Sequence, residues 1–380
     1  MLKPEQVEAL QDYFNALTEP ITSYLIQDIA TRICEAADIT ETARYRAYIA
    51  KMMRLHIPNV KKDVAKIAKR QMADFPRLFK EVAKLVYEQD KRNNNAVVTP
   101  FKDNVQMQYL VNAAVNMASN SFTNITQTLG MIDPFGNALP LRDAYVKCCD
   151  FAFSKVATGA QSYQEAVRQA TDNLLSKGLR TIDYESGVHT SVDAAVRRSV
   201  FGGMGLMVEQ IENQLHDEMG CNGWEISAHE ASAEDHEPIQ GRQYSDEAFN
   251  KLNNSLKRRI GTLNCKHVAF PIVLGVSRPQ YSENELKAMK SRNAKGIDFE
   301  GRHYTQYEAT QMQRKLERAI RAQKRKVLAY ENNDKLIKQH RNAQIKYHVL
   351  DAKYKEFSKA AKLRTQLQRL EVSGFNWRSA

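Results

Sequence analysis

The sequence predicts an α+β fold that is predominantly α-helical, with long helical N- and C-terminal arms around a small α+β module. Three observations carry this reading. Apolar residues recur every three or four positions over most of the 380-residue chain, the spacing that lines one face of a helix. Residues 221–282 break that rhythm with turn glycines at Gly223, Gly241 and Gly261 and a β-rich run, "HVAFPIVLGV", which reads as strands between turns. The chain is also long enough to bury a substantial core without a disulfide or metal.

The elements follow in order. Val7, Leu10, Phe14, Leu17, Ile21, Leu25, Ile29 and Ile33 keep helical steps, with Pro20 as a kink or boundary. Thr40 is an expected N-cap and Pro58 an expected stop. A further helical run leads to the polar "NNN" at 93–95, which closes an N-terminal helical domain, 1–95. A central helical region, 96–220, follows, interrupted by the loop "MIDPFGNALP" at 131–140. Its clearest helix opens at Thr190 or Ser191 and stops at Gly220. Gly202, Gly203 and Gly205 inside it predict a kink or a close helix contact, since each costs about 1 kcal/mol against alanine. The small α+β module is 221–282, and a basic helical region, 283–380, ends in the irregular "VSGFNWRSA".

Five scattered cysteines and no signal-like N-terminus suit a protein folded in a reducing cytoplasm. Cys34, Cys148 and Cys149 fall in helical, mostly apolar patterns and read as core or lightly exposed thiols. No apolar run reaches the roughly 20 residues of a membrane span, so a soluble chain with no membrane partner is expected. Net charge is +11, and its distribution is uneven. Residues 311–370 carry 17 Lys plus Arg against 5 Asp plus Glu, while the rest of the chain is close to neutral. Such a block is a footprint for a polyanion or a solvated helix face.

The stretch "ISAHEASAEDHEPIQGRQYS" holds His229 and His236, and "GTLNCKHVAFPIVLG" holds Cys265 and His267. On an extended strand, Cys265 and His267 would emerge from the same face. If the loop folds back, His229, His236, Cys265 and His267 form a one-cysteine, three-histidine set of the kind that holds zinc. Their spacing matches no familiar finger or ribbon. The competing reading has the histidines hydrogen-bonded to backbone groups and Asp235, with Cys265 packed as a small apolar residue. A catalytic reading would use a Cys265 thiolate, or a metal-bound water with Glu234 or Asp235 as base.

Four segments in order, "SKGLRTIDYESGVHTSVDAAVRRSV", "WEISAHEASAEDHEPIQGRQYS", "IGTLNCKHVAFPIVLGVSRPQYSENEL" and "YTQYEATQMQRKLERAIRAQKR", closely resemble the phage minor capsid protein 2 family, akin to the F-type minor head proteins of phage Mu. The resemblance runs over practically the whole chain. It implies a non-enzymatic minor component of a tailed-phage head, made in the bacterial host cytoplasm and located in the virion. Such a component is implied to act near the portal in head morphogenesis or DNA packaging and delivery, with the portal or major capsid protein and packaged double-stranded DNA as partners. Alternatives are a metal-dependent nuclease or peptidase carried in the head, and a DNA-binding protein outside the virion. One departure is that Ala233 stands where many relatives have an arginine three positions before the second histidine.

In "EATQMQRKLERAIRAQKRKVLAY", Arg314, Arg318, Arg321 and Arg325 fall at steps of four, three and four, along one helix face, and Lys324 and Lys326 widen the stripe. In a head component these six residues are expected to contact the phosphate backbone of DNA without reading bases. Tyr304 and Tyr307 precede this helix and read as packing, or as a base-stacking pair.

Overall fold

The computed structural model describes residues 4–94, 97–133, 136–183, 188–257, 259–261, 265–331, 333–376 and 379. Asn95 of the expected linker, Pro134 and Phe135 of the expected loop, and Trp377, Arg378 and Ala380 of the irregular tail lie outside them, as does the Phe14 side chain.

The N-terminal third is helical: α1 (Pro4–Ala16), α2 (Glu19–Ala37), α3 (Thr42–Lys51), α4 (Ile57–Met72) and α5 (Phe75–Asn93). Val7, Leu17, Ile21, Leu25, Ile29 and Ile33 are all buried, as their spacing requires. Pro20 lies in the first turn of α2, where its missing N–H has no helical partner to lose. Pro58 lies in the first turn of α4, joined to α3 by a π-helical turn, Met52–His56. It therefore continues the helical path that it was expected to stop. The α3 cap is Glu41, in extended conformation, rather than Thr40.

Next come α6 (Val105–Gln127), β1 (Leu129–Ile132), β2 (Ala138–Pro140), α7 (Leu141–Ala157), α8 (Tyr163–Lys177), β3 (Arg180–Ile182), β4 (His189–Ser191), α9 (Val192–Val196) and α10 (Gly202–Glu218). The strands form an antiparallel sheet in the order β2-β1-β3-β4. These strands replace part of the helix and loop expected over 96–220, because strands of three or four residues are too short to show a period of two. Ser191 caps α9 by accepting the Ala194 N–H. A π-helical turn, Arg197–Phe201, links α9 to α10, and Gly220 follows the end of α10 with φ +63°.

The module contains β5 (Gly223–Ile226), β6 (Gln243–Ser245), α11 (Asp246–Ser255) and β7 (Ala269–Ile272), with β5 between β6 and β7 and all pairs antiparallel. After it come α12 (Glu283–Lys295), a hairpin of β8 (Ile297–Phe299) and β9 (Arg302–Tyr304), α13 (Gln306–Tyr330) and α14 (Ile337–Ala360). Capping boxes at Ser282 and Thr305 start α12 and α13.

The largest apolar core runs from Val7 to Ala343 and joins the helices to Val268, Phe270 and Ile272 of the module. Two smaller cores lie under Trp224, Ile226 and Phe249, and between α13 and α14 around Tyr354 and Phe357. α13 packs on α14, α2, α8 and a short 3-10 turn, Leu367–Leu370, so the basic helix is built into the body of the protein. Among the described residues no helix is long and apolar enough to cross a membrane.

Candidate metal centre and the basic cavity beside it

Local hydrogen bonding carries His236 to the module. Past β5, Ser227 donates its N–H to the Val268 carbonyl (2.8 Å), and its Oγ accepts the Val268 N–H (2.9 Å). This ties the segment leading into β7, which carries Cys265 and His267, to the end of β5. The intervening loop makes a helical turn: Glu237 N–H donates to the Ala233 carbonyl and Gln240 N–H to that of His236. It returns at Gly241, whose φ of +69° lets its N–H reach the Ile226 carbonyl at 2.8 Å.

Three of the four expected ligands converge. His236 Nδ1 and His267 Nδ1 are 3.4 Å apart, and Cys265 Sγ is 3.4 Å from each; all three residues are buried. A tetrahedral zinc with Zn–N of 2.0–2.1 Å and Zn–S of 2.3 Å sets its ligand atoms about 3.3–3.4 Å apart for N···N and about 3.6 Å for N···S. The observed triangle therefore fits one such ion.

The hydrogen bonds around His267 prepare it for that role. Gln240 Oε1 accepts the His229 backbone N–H (3.1 Å), which identifies it as the oxygen, and it lies 2.9 Å from His267 Nε2. That bond assigns the His267 proton to Nε2 and leaves the Nδ1 lone pair facing Cys265 and His236. Burial, with the neighbouring His229 and His236, pushes the His267 pKa down to about 2, so the imidazole is neutral, as a metal ligand must be. His236 Nε2 faces the Asp235 carboxylate at 4.0 Å.

His229 stays outside the triangle. Its Nδ1 donates to the Glu230 carbonyl (2.7 Å), and its ring lies 4.2 Å from that of His267; burial pushes its pKa down to about 4. Three donors leave a fourth position open to a further ligand or to water.

The cluster lies in a wall between two cavities. Cys265 and His267 line a smaller one of about 320 Å³, with Trp224, Phe249 and Glu212. Glu212 is buried, with its carboxyl pKa held well above the ordinary range, by burial first and by Asp90 second. With His229 and His236 they also line a larger cavity of about 1200 Å³, whose opposite wall is α13.

The six basic residues of α13 are placed mainly inward. Arg314 lies 3.5–3.7 Å from Glu8, Asp12 and Glu317. Arg321 donates to the Arg369 carbonyl (2.6 Å) and faces Asp193 at 3.9 Å. Lys324 donates to the Leu370 carbonyl and sits over the Phe375 ring. Arg325 pairs with Glu19, and Lys326 with Asp172. Arg318 alone of the six is exposed. Of the ten exposed Lys and Arg among the described residues of 311–370, five lie on α14, at Lys338, Arg341, Lys346, Lys355 and Lys359. Tyr304 packs against Phe357.

Sequence reasoning missed Gln240, Arg197 and Arg369. Gln240 follows His236 by four, a helical step that was there to be read. Arg369 is buried against Glu8 and Asp12, more than 350 positions away, and no local signal marks it.

A model of the phage minor capsid protein 2 family matches residues 2–357 of the chain. No curated protein and no solved structure matches it.

Proposed function

The chain belongs to the phage minor capsid protein 2 family, and from that premise we propose that it is a structural, low-copy part of the head, placed beside the portal and acting in morphogenesis or DNA packaging and delivery. Its partners are then the portal or major capsid protein and packaged double-stranded DNA, and it is made in the host cytoplasm before assembly. The family match over almost the entire chain carries this reading. Contact with duplex backbone is supported by the exposed cations of α14 together with Arg318, because non-specific binding needs phosphate-facing Lys and Arg on an open surface. Quantitative mass spectrometry of purified particles tests the assignment. Presence at a small fraction of the major capsid protein is expected, and absence from DNA-filled particles would overturn it.

Within this role, His236, Cys265 and His267 hold a zinc ion that pins the 229–241 loop to the segment before β7; the equal 3.4 Å separations support it. A bound zinc would supply tetrahedral cross-linking of two segments that share few backbone hydrogen bonds. Purified protein is expected to carry close to one equivalent of zinc by elemental analysis. Fully folded protein that neither contains nor takes up zinc would remove the idea.

A further inference from the structure

The inner face of α13 gathers more positive than negative charge. Glu8, Asp12, Glu317 and Asp193 are shared among Arg314, Arg321, Arg369 and Lys266 at 2.5–3.9 Å. Arg197 and Arg318 line the same cavity. Among the described residues, four carboxylates thus lie among six cations, with Asp193 acting on Arg197 as well as on Arg321. The other acidic groups along the cavity do not restore balance: Glu19 pairs with Arg325 and Glu230 with Arg292, while Glu371 lies near Lys324, and Lys362 and Arg364 add further positive charge to the lining. Burial, together with Arg314, Arg318 and Arg321, holds the Arg197 guanidinium below its ordinary pKa, as expected where like charges meet away from water.

Such a space fits an anion, and its size limits which one. About 1200 Å³ is slightly above the range of small-ligand sites, whereas duplex contact is made across an open surface. Guanidinium groups match phosphate oxygens two at a time.

We propose that the cavity between α13, α1, α9 and the 229–236 loop binds a phosphate-bearing ligand no bulkier than a few nucleotides of single strand, with Arg197, Arg318 and Arg321 on its phosphates. The proposal rests on the DNA-contact reading only in taking nucleic acid as one source of the phosphate; a phosphorylated small molecule is the other.

Calorimetric titration of the full-length protein at low salt tests it with three probes: a thymidine tetranucleotide, inorganic phosphate, and a duplex of about 20 base pairs. Arg318→Gln is the main variant, because Arg318 is exposed and its loss leaves the ion-pair network intact. Arg198→Gln, on an exposed residue that does not line the cavity, is the control. Tetranucleotide binding is expected for the wild type, weakened about ten-fold in Arg318→Gln, with the log-log salt slope reduced by about 0.7 for the lost phosphate contact; the control should match the wild type. Tetranucleotide binding tighter than free phosphate identifies nucleic acid as the source, and free phosphate binding alone, lost in Arg318→Gln, identifies a phosphorylated small molecule. If neither probe binds, or both bind Arg318→Gln as they bind the wild type, the proposal is overturned. A duplex that binds when neither small probe does leaves the surface DNA contact standing and removes the cavity site. A tetranucleotide that binds when the duplex does not supports the cavity and removes the duplex contact.

Discussion

Gln240 shows how one side chain sets the chemistry of its neighbours. By accepting from His267 Nε2 and from the His229 backbone, it assigns the His267 tautomer and holds the loop at the distance where His236 meets Cys265. Such orienting partners are worth about 10–100-fold in metal affinity. Gln240→Leu should therefore weaken zinc binding by about that factor in a chelator competition, while Cys265→Ser should abolish it and lower Tm by roughly 5–10 °C. An unchanged affinity in Gln240→Leu would mean that the tautomer is fixed by something else. The sequence showed the histidines and the cysteine but could not rank them. His229 and His236 sit in one polar stretch, and only the turn at 233–240 aims one at the triangle and the other at its own neighbour's carbonyl.

At the level of elements, the glycines of α10 separate into two kinds. A Cβ on Gly205 would lie 2.5 Å from the Gly261 carbonyl oxygen, whereas one on Gly203 would meet nothing within 4 Å. The close contact foreseen for this helix is thus with the loop at Gly261, and Gly205 alone is needed for it. Gly205→Ala should destabilise by about 1–3 kcal/mol, the cost of overpacking against rigid backbone. Gly203→Ala should stabilise by about 0.5–1 kcal/mol, the helical preference for alanine. Urea unfolding of both variants checks this, and equal effects of the same sign would refute it. Amphipathic spacing placed most helices correctly, because a long periodic face has one stable way to be buried. The β1–β4 sheet and the β8–β9 hairpin escaped it, since each strand has only three or four residues and owes its existence to a partner elsewhere in the chain.

For the whole molecule, the two ends of the chain are fastened together through charge. Arg369, buried in the turn after α14, meets Glu8 and Asp12 of α1 at 2.5–2.7 Å and Glu317 of α13 at 3.9 Å. Removing one partner of a buried ion pair leaves the others uncompensated, at about 3–5 kcal/mol. Arg369→Ala should lower the unfolding free energy by that order and make the C-terminal segment sensitive to limited proteolysis. A loss under about 1 kcal/mol would show the network to be solvated. The same network explains why the charge block could not be read correctly from composition. A stripe of arginines at steps of four and three faces water only if nothing acidic packs on it, and here α1, α2 and α9 supply the acids.

By itself the sequence determined the helical character of the chain, the residue types of the candidate metal cluster and, through its motifs, the family. These are properties of periodicity, turn chemistry and residue order, all of which are local. Tertiary structure alone decided which three of the four expected ligands meet, that the basic face of α13 turns inward onto carboxylates up to 306 positions away, and that this face and the His236–Cys265–His267 cluster share one cavity. Each depends on packing between segments far apart in the chain, and electrostatic partners at such separations leave no mark on local sequence pattern.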